Sequence, residues 1–172
     1  DRGLAVAQRE LGNLLQKMGK LEEGDQFVEQ AIATMEQLVA EFPGLPDHRT
    51  YLIFMLGNHT YSLLRRHQLD KALEFWEQFL VHRRWTTEHE PTRSAAPRML
   101  IDNLRVHAVL LYESGEIDRA RQAMGESLRL ARQVMEDHSD NANDKYIYAW
   151  INNVCPFPDL RDTRAALAAM KE

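Results

Sequence analysis

Apolar residues recur three and four positions apart along almost the whole chain, a period typical of amphipathic helices. Glycine, proline and clusters of polar residues interrupt this pattern at intervals, as at Gly19 and Pro91. No alternation of apolar and polar residues is long enough to predict a strand. The pattern therefore predicts an all-α chain. The helices are expected over about 3–18, 21–42, 47–64, 69–89, a fifth beginning between 94 and 98, then 117–135, 143–154 and 160–170.

Individual residues predict where several of these helices begin and end. Gly19 follows the first helix in the position favoured for a left-handed cap. The segment 43–46 contains two prolines and is expected to end the second helix, after which Asp47 would cap the third. Prolines at 156 and 158 are expected to separate the last two helices.

A tetrad of one aliphatic, two charged and one small residue occurs three times, at Leu21–Gly24, Leu69–Ala72 and Ile117–Ala120, each 48 residues after the last. A fixed period of this size indicates stacked repeats. We interpret each tetrad as the start of the second helix in a helix–turn–helix unit. Helices of about 20 residues can bury a common face only if their backbones approach closely. Gly24, Ala72 and Ala120 are therefore predicted at the helix crossings.

The period divides the chain into three hairpins and a terminal half-repeat or cap, over about 3–46, 47–92, 94–142 and 143–172. We expect these to form a single domain over 1–172. The aromatic residues Phe75, Trp76 and Phe79 are predicted to lie in its core. The chain opens with Asp1 and is already helical by Leu4, so we expect it to be a fragment of a longer protein.

Composition narrows the possible partners. The formal net charge of −5 and the pI near 5.8 argue against a nucleic-acid-binding surface, which is usually basic. No apolar run approaches the length of a membrane span and no signal-peptide pattern is present, so no membrane partner is expected. The single cysteine excludes an internal disulfide and favours a reducing compartment, which predicts a cytoplasmic protein.

The sequence contains no catalytic motif that we could identify among its histidine, cysteine and glycine residues. The seven histidines form neither an HExxH motif nor a pairing with cysteine, so no metal is predicted. No glycine-rich loop is present to hold a phosphate, and no cofactor is expected. His59 and His107 lie 48 residues apart and are interpreted as packing residues, and Cys155 as a buried structural thiol. We expect that this region is not an enzyme, although a catalytic domain would be possible upstream.

The first repeat resembles the tetratricopeptide repeat in Leu11-Gly12-Asn13, Leu15, Gly19, Gly24, Val28 and Ala31. The second repeat has His59-Thr60 where Leu-Gly is expected, and the third has His107-Ala108. A family unit has about 34 residues, so each repeat here is longer by about 14. The resemblance implies a right-handed α-solenoid of about three and a half hairpins.

Two details of the resemblance indicate a context. The long helices are similar to those of kinesin light chains and of repeat arrays in large bacterial signalling proteins. The ending, with Tyr148-Ala149-Trp150 and Cys155-Pro156, resembles the terminal unit of arrays that follow bacterial serine/threonine kinase domains. The resemblance thus implies a bacterial signalling or regulatory protein.

The resemblance also implies that the first helix of each hairpin lines a concave peptide-binding groove. The family's groove positions fall on Arg9, Asn13, Asn58, Tyr61, Arg65, Arg105 and Tyr112. Within the family, a basic residue four positions before an asparagine can bind a C-terminal carboxylate. Arg9 and Asn13 match that spacing, and Arg105 would supply a second cation. Tyr61 and Val109, however, occupy places where such a clamp would need an asparagine and a base. The alternative, that all seven are solvated polar residues, stays open.

Two functional classes remain. The first is a non-catalytic scaffold that binds a peptide or helical segment of a protein partner. The second is an oligomerisation or spacer module that contacts its own copies or a neighbouring domain. The oligomeric state would discriminate between them.

Overall fold

In the computed structural model of the protein, residues 1–89 and 95–170 are described, and within them the chain is all-α without a strand. Eight α-helices are found in these ranges, which confirms the predicted fold class and helix number. They are α1 (Arg2–Lys17), α2 (Leu21–Glu41), α3 (Pro46–Leu64), α4 (Leu69–His89), α5 (Ala96–Glu113), α6 (Ile117–Asp137), α7 (Ala142–Val154) and α8 (Thr163–Ala169). The predicted break at Pro91 lies outside the described residues.

The chain divides into two compact units, and the boundary falls within α4. Unit 1 comprises Asp1–His82 and unit 2 comprises Arg83–Glu172. Unit 1 therefore holds α1 to α3 and most of α4, whereas unit 2 holds the end of α4 and all later helices. The single domain expected over 1–172 stays a prediction.

In unit 1, α1 and α2 cross at two glycines. A Cβ atom on Gly24 would lie 2.7 Å from the carbonyl oxygen of Gly12 and 2.6 Å from Cγ of Gln16. A Cβ atom on Gly12 would in turn lie 2.7 Å from the carbonyl oxygen of Gly24. No side chain fits at this distance. The predicted role of Gly24 is confirmed.

The same crossing positions recur 48 and 96 residues later without glycine. Thr60 and Ala72 are fully buried in unit 1, as are Ala108 and Ala120 in unit 2. A small residue in the second helix is therefore kept in all three hairpins. In the second hairpin the first helix has a threonine, Thr60, where the repeat pattern would lead one to expect glycine.

The turn between the two helices of each hairpin is also repeated. Gly19, His67 and Gly115 have φ angles of 81°, 58° and 85°, in the left-handed region. In each turn the next residue donates its backbone N–H to a carbonyl five positions earlier, for example Lys20 to Leu15 at 2.9 Å. This pair of features is a Schellman cap. The left-handed cap predicted at Gly19 is confirmed, and a histidine adopts it in the second hairpin.

Helix α3 packs between α2 and α4. Leu52, Met55 and Leu56 are almost completely buried on it. On the α4 side, the His59 ring meets Phe75 edge-to-face at 4.6 Å. Of the three aromatic residues predicted in the core, Phe79 is buried, whereas Phe75 and Trp76 are partly exposed.

Two predicted helix boundaries are wrong. Asp47 does not cap α3: the helix begins at Pro46, whose fixed φ suits the first helical position, and Leu45 is the N-cap. The last helix does not begin at Leu160, which belongs instead to a 3₁₀ turn, Pro158–Leu160. Helix α8 begins at Thr163 because the Asp162 carboxylate accepts the N–H of Ala165 at 3.0 Å and so caps it.

In unit 2, buried polar contacts tie the helices together. The Ser127 hydroxyl donates to the carbonyl of Ile101 at 2.8 Å, across the α5–α6 pair. Arg98 on α5 forms a double hydrogen bond to Asp144 on α7, with Nη2 2.7 Å from Oδ2. Cys155 is fully buried after α7 and donates its thiol to the carbonyl of Phe157 at 3.4 Å. The prediction of a buried structural thiol is confirmed.

Candidate functional site

The candidate site is a groove in unit 1 between the first helices of two successive hairpins, α1 and α3. It has two adjoining lobes of about 370 and 540 Å³. Asn13, Gln16, Asn58 and Ser62 line both lobes, so the two form one surface, called here the α1–α3 groove. The first lobe is completed by Arg9, Val28, Phe54, Met55 and His59. The second is completed by Glu10, Lys17, Leu21, Tyr61, Arg65 and Arg66.

Five of the predicted site residues line this groove. They are Arg9, Asn13, Asn58, Tyr61 and Arg65. The spacing of the sequence explains why they meet: 9 and 13 are one helical turn apart on α1, and 58, 61 and 65 follow the same face of α3. Their role in binding stays a prediction.

Arg9 is held against an aromatic wall. The carbon of its guanidinium lies 5.2 Å from the centre of the Tyr51 ring and 5.7 Å from that of Phe54. It also forms an ion pair with the neighbouring Glu10. These contacts orient the planar cation along the first lobe.

A buried histidine forms part of the floor of the first lobe. His59 is only 2% exposed, and its Nε2 lies 3.5 Å from Oε1 of Glu29, outside good hydrogen-bonding geometry. Burial lowers the pKa of His59, and the nearby carboxylates of Asp25 and Glu29 only partly oppose this. The ring is therefore expected to be neutral near pH 7, when it offers one donor and one acceptor.

A salt bridge supports the second lobe. Arg66, in the turn that follows α3, donates two hydrogen bonds, both 2.8 Å long, to the buried carboxylate of Asp25 on α2. Gln16 on α1 donates to the same carboxylate, also at 2.8 Å. Burial alone would raise the pKa of Asp25, but the hydrogen bonds and charge of Arg66 lower it below its ordinary value. This one carboxylate thus joins α1 and α2 to the turn that follows α3.

The second lobe has a positive edge. Lys17 and Arg65 line it and are exposed, and within the described residues neither has a carboxylate partner. Arg66 is engaged by Asp25, and Glu10 is the one acidic residue among those that line the lobe. Although the whole chain is acidic, this part of the groove suits a negatively charged ligand.

The other two predicted site residues, Arg105 and Tyr112, lie on α5 in unit 2. Arg105 pairs with Asp102 at 2.9 Å and stacks over Trp150, with 4.9 Å from its guanidinium carbon to the ring centre. Tyr112 meets the ring of Phe157 edge-to-face at 6.1 Å. Within unit 2 both are thus engaged locally. Their part in a ligand site stays a prediction.

Sequence reasoning missed several residues of the groove. Gln16, Phe54 and Ser62 line it, and so does the buried His59. Helical spacing carries a signal for three of them: Gln16 is three positions after Asn13, while Phe54 and Ser62 are four positions before and after Asn58. The Asp25–Arg66 pair joins residues 41 positions apart, and no local pattern predicts it.

Within residues 1–89 and 95–170, no group of three histidine, cysteine or acidic side chains is arranged to hold a metal ion. Among the helices in these ranges, none combines the length and apolarity needed to cross a membrane.

A family model described as tetratricopeptide repeat matches residues 4–49 and 108–140. The first match covers most of α1, all of α2 and the start of α3, and the second covers the end of α5 and all of α6. These two matched segments are tetratricopeptide repeats. The unmatched hairpin between them is the one with Thr60 at its crossing. A search of curated proteins gives no match. Tetratricopeptide repeats generally mediate protein–protein interactions, and their fold is typically non-catalytic.

Proposed function

We propose that the α1–α3 groove binds a peptide or helical segment of a protein partner, and that the chain acts as a non-catalytic interaction scaffold. The observation that carries this proposal is the convergence of Arg9, Asn13, Asn58, Tyr61 and Arg65 on one open groove. The repeat family to which its hairpins belong supports a protein ligand.

The lining of the groove indicates the chemistry of the ligand. Val28, Met55 and Phe54 supply apolar surface in the first lobe. The amides of Asn13 and Asn58 can pair with a peptide backbone, as such groups do in peptide-binding grooves. The exposed cations of the second lobe favour an acidic residue or a terminal carboxylate at that end. The expected ligand is an extended acidic peptide with apolar side chains.

The proposal can be tested with a fluorescent peptide of mixed acidic and aromatic residues that ends in a free carboxylate. We expect Asn13→Ala, Arg9→Ala and Arg65→Ala each to weaken binding about tenfold in fluorescence anisotropy, as the loss of a charged or bidentate contact does. Arg164→Ala is the matched control, because Arg164 is exposed on α8 and lines neither lobe. Its affinity should equal that of the wild type.

A second peptide with an amidated C-terminus separates the two sources of negative charge. Weaker binding of the amidated peptide would assign the positive edge to a terminal carboxylate, and equal binding would assign it to acidic side chains. If all three groove variants bind as tightly as Arg164→Ala, the groove is not the binding site and the proposal fails.

The cellular context is also a proposal. The likeness of the ending, around Trp150 and Cys155, to repeat arrays that follow bacterial kinase domains supports a bacterial signalling or regulatory protein. The single cysteine supports a cytoplasmic location.

A further inference from the structure

An exposed apolar stripe runs along α1 on the side opposite the α1–α3 groove. It consists of Leu4, Ala7, Leu11, Leu14 and Met18, and is called here the α1 stripe. Its four large side chains are between 42% and 65% exposed. The members alternate three and four residues apart, which is the spacing of a helix seam that packs against another helix. Arg9 and Asn13 lie about half a turn away, and none of the five stripe residues lines the groove.

The next hairpin shows what covers this face of a first helix. Adding 48 to Leu4, Ala7 and Leu11 gives Leu52, Met55 and His59, all of which are at most 2% exposed. In that hairpin the face is turned toward α2: His59 approaches Glu29 and Arg66 binds Asp25. The equivalent face of α1 has no helix over it within the described residues. It has the shape and polarity of a helix-binding seam.

The charges beside the stripe favour one occupant. Glu10 and Lys17 flank the seam on the same side, seven residues apart, and both are exposed. If two α1 helices pack antiparallel, Leu11 of one meets Leu14 of the other and Ala7 meets Met18. The same register places each Glu10 beside Lys17 of the second copy, as flanking charges pair in antiparallel helix seams. Glu10 keeps a second oxygen for this pair while it binds Arg9.

We propose that the α1 stripe binds the α1 stripe of a second copy of this chain, antiparallel, to form a symmetric dimer. A two-fold axis makes every contact occur twice, so a single stripe that has an acidic and a basic residue along one side is self-complementary. Helix α1 has 16 residues and is about 24 Å long. A helix pair of that size buries less than a standard interface of about 1,600 Å², so the dimer should dissociate on dilution.

Sedimentation equilibrium over a range of concentrations tests the proposal. The wild-type chain is expected to pass from monomer to dimer as concentration rises into the high-micromolar range. Leu14→Glu places a charge in the seam and should leave only monomer. Leu167→Glu is the matched control, because Leu167 is 59% exposed on α8 and is not part of the stripe, and its substitution should leave the dimer intact. Circular dichroism checks that both variants remain helical.

A charge exchange tests the antiparallel register. Glu10→Lys or Lys17→Glu alone should weaken the dimer about tenfold, because each puts like charges together twice. The double variant Glu10→Lys/Lys17→Glu restores opposite charges and should dimerise like the wild type. A wild-type chain that stays monomeric at every concentration would overturn the proposal, since another occupant must then cover the stripe. A dimer insensitive to Leu14→Glu, or a double variant that stays weak, would overturn it too.

Discussion

At the scale of single residues, α1 and α2 approach each other closely at Gly12 and Gly24. Backbone carbonyl oxygens lie 2.7 Å from where a Cβ atom would stand on either residue. A side-chain atom can rotate away from such a contact, but a helix backbone cannot move without shifting the whole helix. The distance between α1 and α2 is therefore set by the absence of two methyl groups.

We expect Gly24→Ala to lower the free energy of unfolding by about 2 kcal/mol or more, because the added methyl group overlaps backbone atoms of α1. Gly125→Ala is the matched control. A Cβ atom on Gly125 meets nothing within 4 Å, and alanine is the better helix former by about 1 kcal/mol, so this change should stabilise the protein. Urea unfolding measures both. Equal stability of Gly24→Ala and the wild type would contradict the close crossing.

The sequence identified Gly24 but not the conformation of His67. A tetrad with a fixed period marks Gly24, because only a small residue suits all three copies. His67 occupies a left-handed position that glycine fills in the other two hairpins, and although histidine is enriched among the non-glycine residues found there, such residues remain uncommon. Its conformation follows from the hairpin geometry that α3 and α4 impose. Local propensity could not predict it.

At the scale of helices, α3 and α4 are joined by a neutral histidine. Nη1 of Arg49 on α3 lies 2.9 Å from Nδ1 of His82 on α4, so the ring accepts a hydrogen bond there. Burial, with the charge of Arg49, lowers the pKa of His82 to about 4. In the unfolded chain the same ring titrates near its ordinary pKa of 6.5.

This difference in pKa sets a pH dependence. Between pH 6.5 and 4 the unfolded chain binds a proton at His82, whereas the folded chain does not. The contribution of His82 to the free energy of unfolding is therefore complete above pH 6.5 and is lost as the pH falls toward 4. Asparagine at position 82 keeps a hydrogen-bond acceptor for Arg49 but does not titrate. We therefore expect the free energy of unfolding of His82→Asn to depend less on pH between 4 and 6.5. Denaturant unfolding at several pH values measures it.

His67→Asn is the control for that experiment. His67 is exposed, and asparagine tolerates its left-handed conformation. This variant should retain the pH dependence of the wild type. If His82→Asn retains it as fully, His82 is not the group responsible.

Helix boundaries show where sequence patterns end and tertiary contacts begin. The period of apolar residues predicted all eight helices, since each buries one face. The apolar period did not predict the start of α8, because individual contacts fix the residues between Cys155 and Asp162. Nε of Arg161 donates to the carbonyl of Cys155 at 2.7 Å, and Oδ1 of Asn152 accepts the N–H of Asp162 at 2.8 Å. Neither contact has a periodic signal.

At the scale of the whole molecule, the 48-residue period is kept at the helix crossings and turns but less well at the groove positions. It repeats the crossings and turns faithfully, so the fold could be predicted from sequence. The groove positions are kept less well: Asn13 of the first hairpin has Tyr61 and Val109 as its counterparts. A repeat signal therefore reports the framework and carries little information about the ligand.

The buried thiol of Cys155 makes it possible to measure how fast the segment between α7 and α8 opens. Because it is the only cysteine and is fully buried, it can react with an alkylating reagent only when its surroundings open. We expect Arg161→Ala to speed this reaction several-fold, since the bond to the Cys155 carbonyl is lost. Mass spectrometry measures the rate, and Arg164→Ala should react like the wild type.

If Arg161→Ala reacts no faster, that bond does not hold the segment closed. If Arg161→Ala reacts faster, the alkylation rate of Cys155 reports local opening of this segment. Denaturant unfolding of the same variants measures global unfolding, so the two processes can be separated. The opening of the segment around Cys155 can then be followed as the rate of a chemical reaction, without adding a label to the protein.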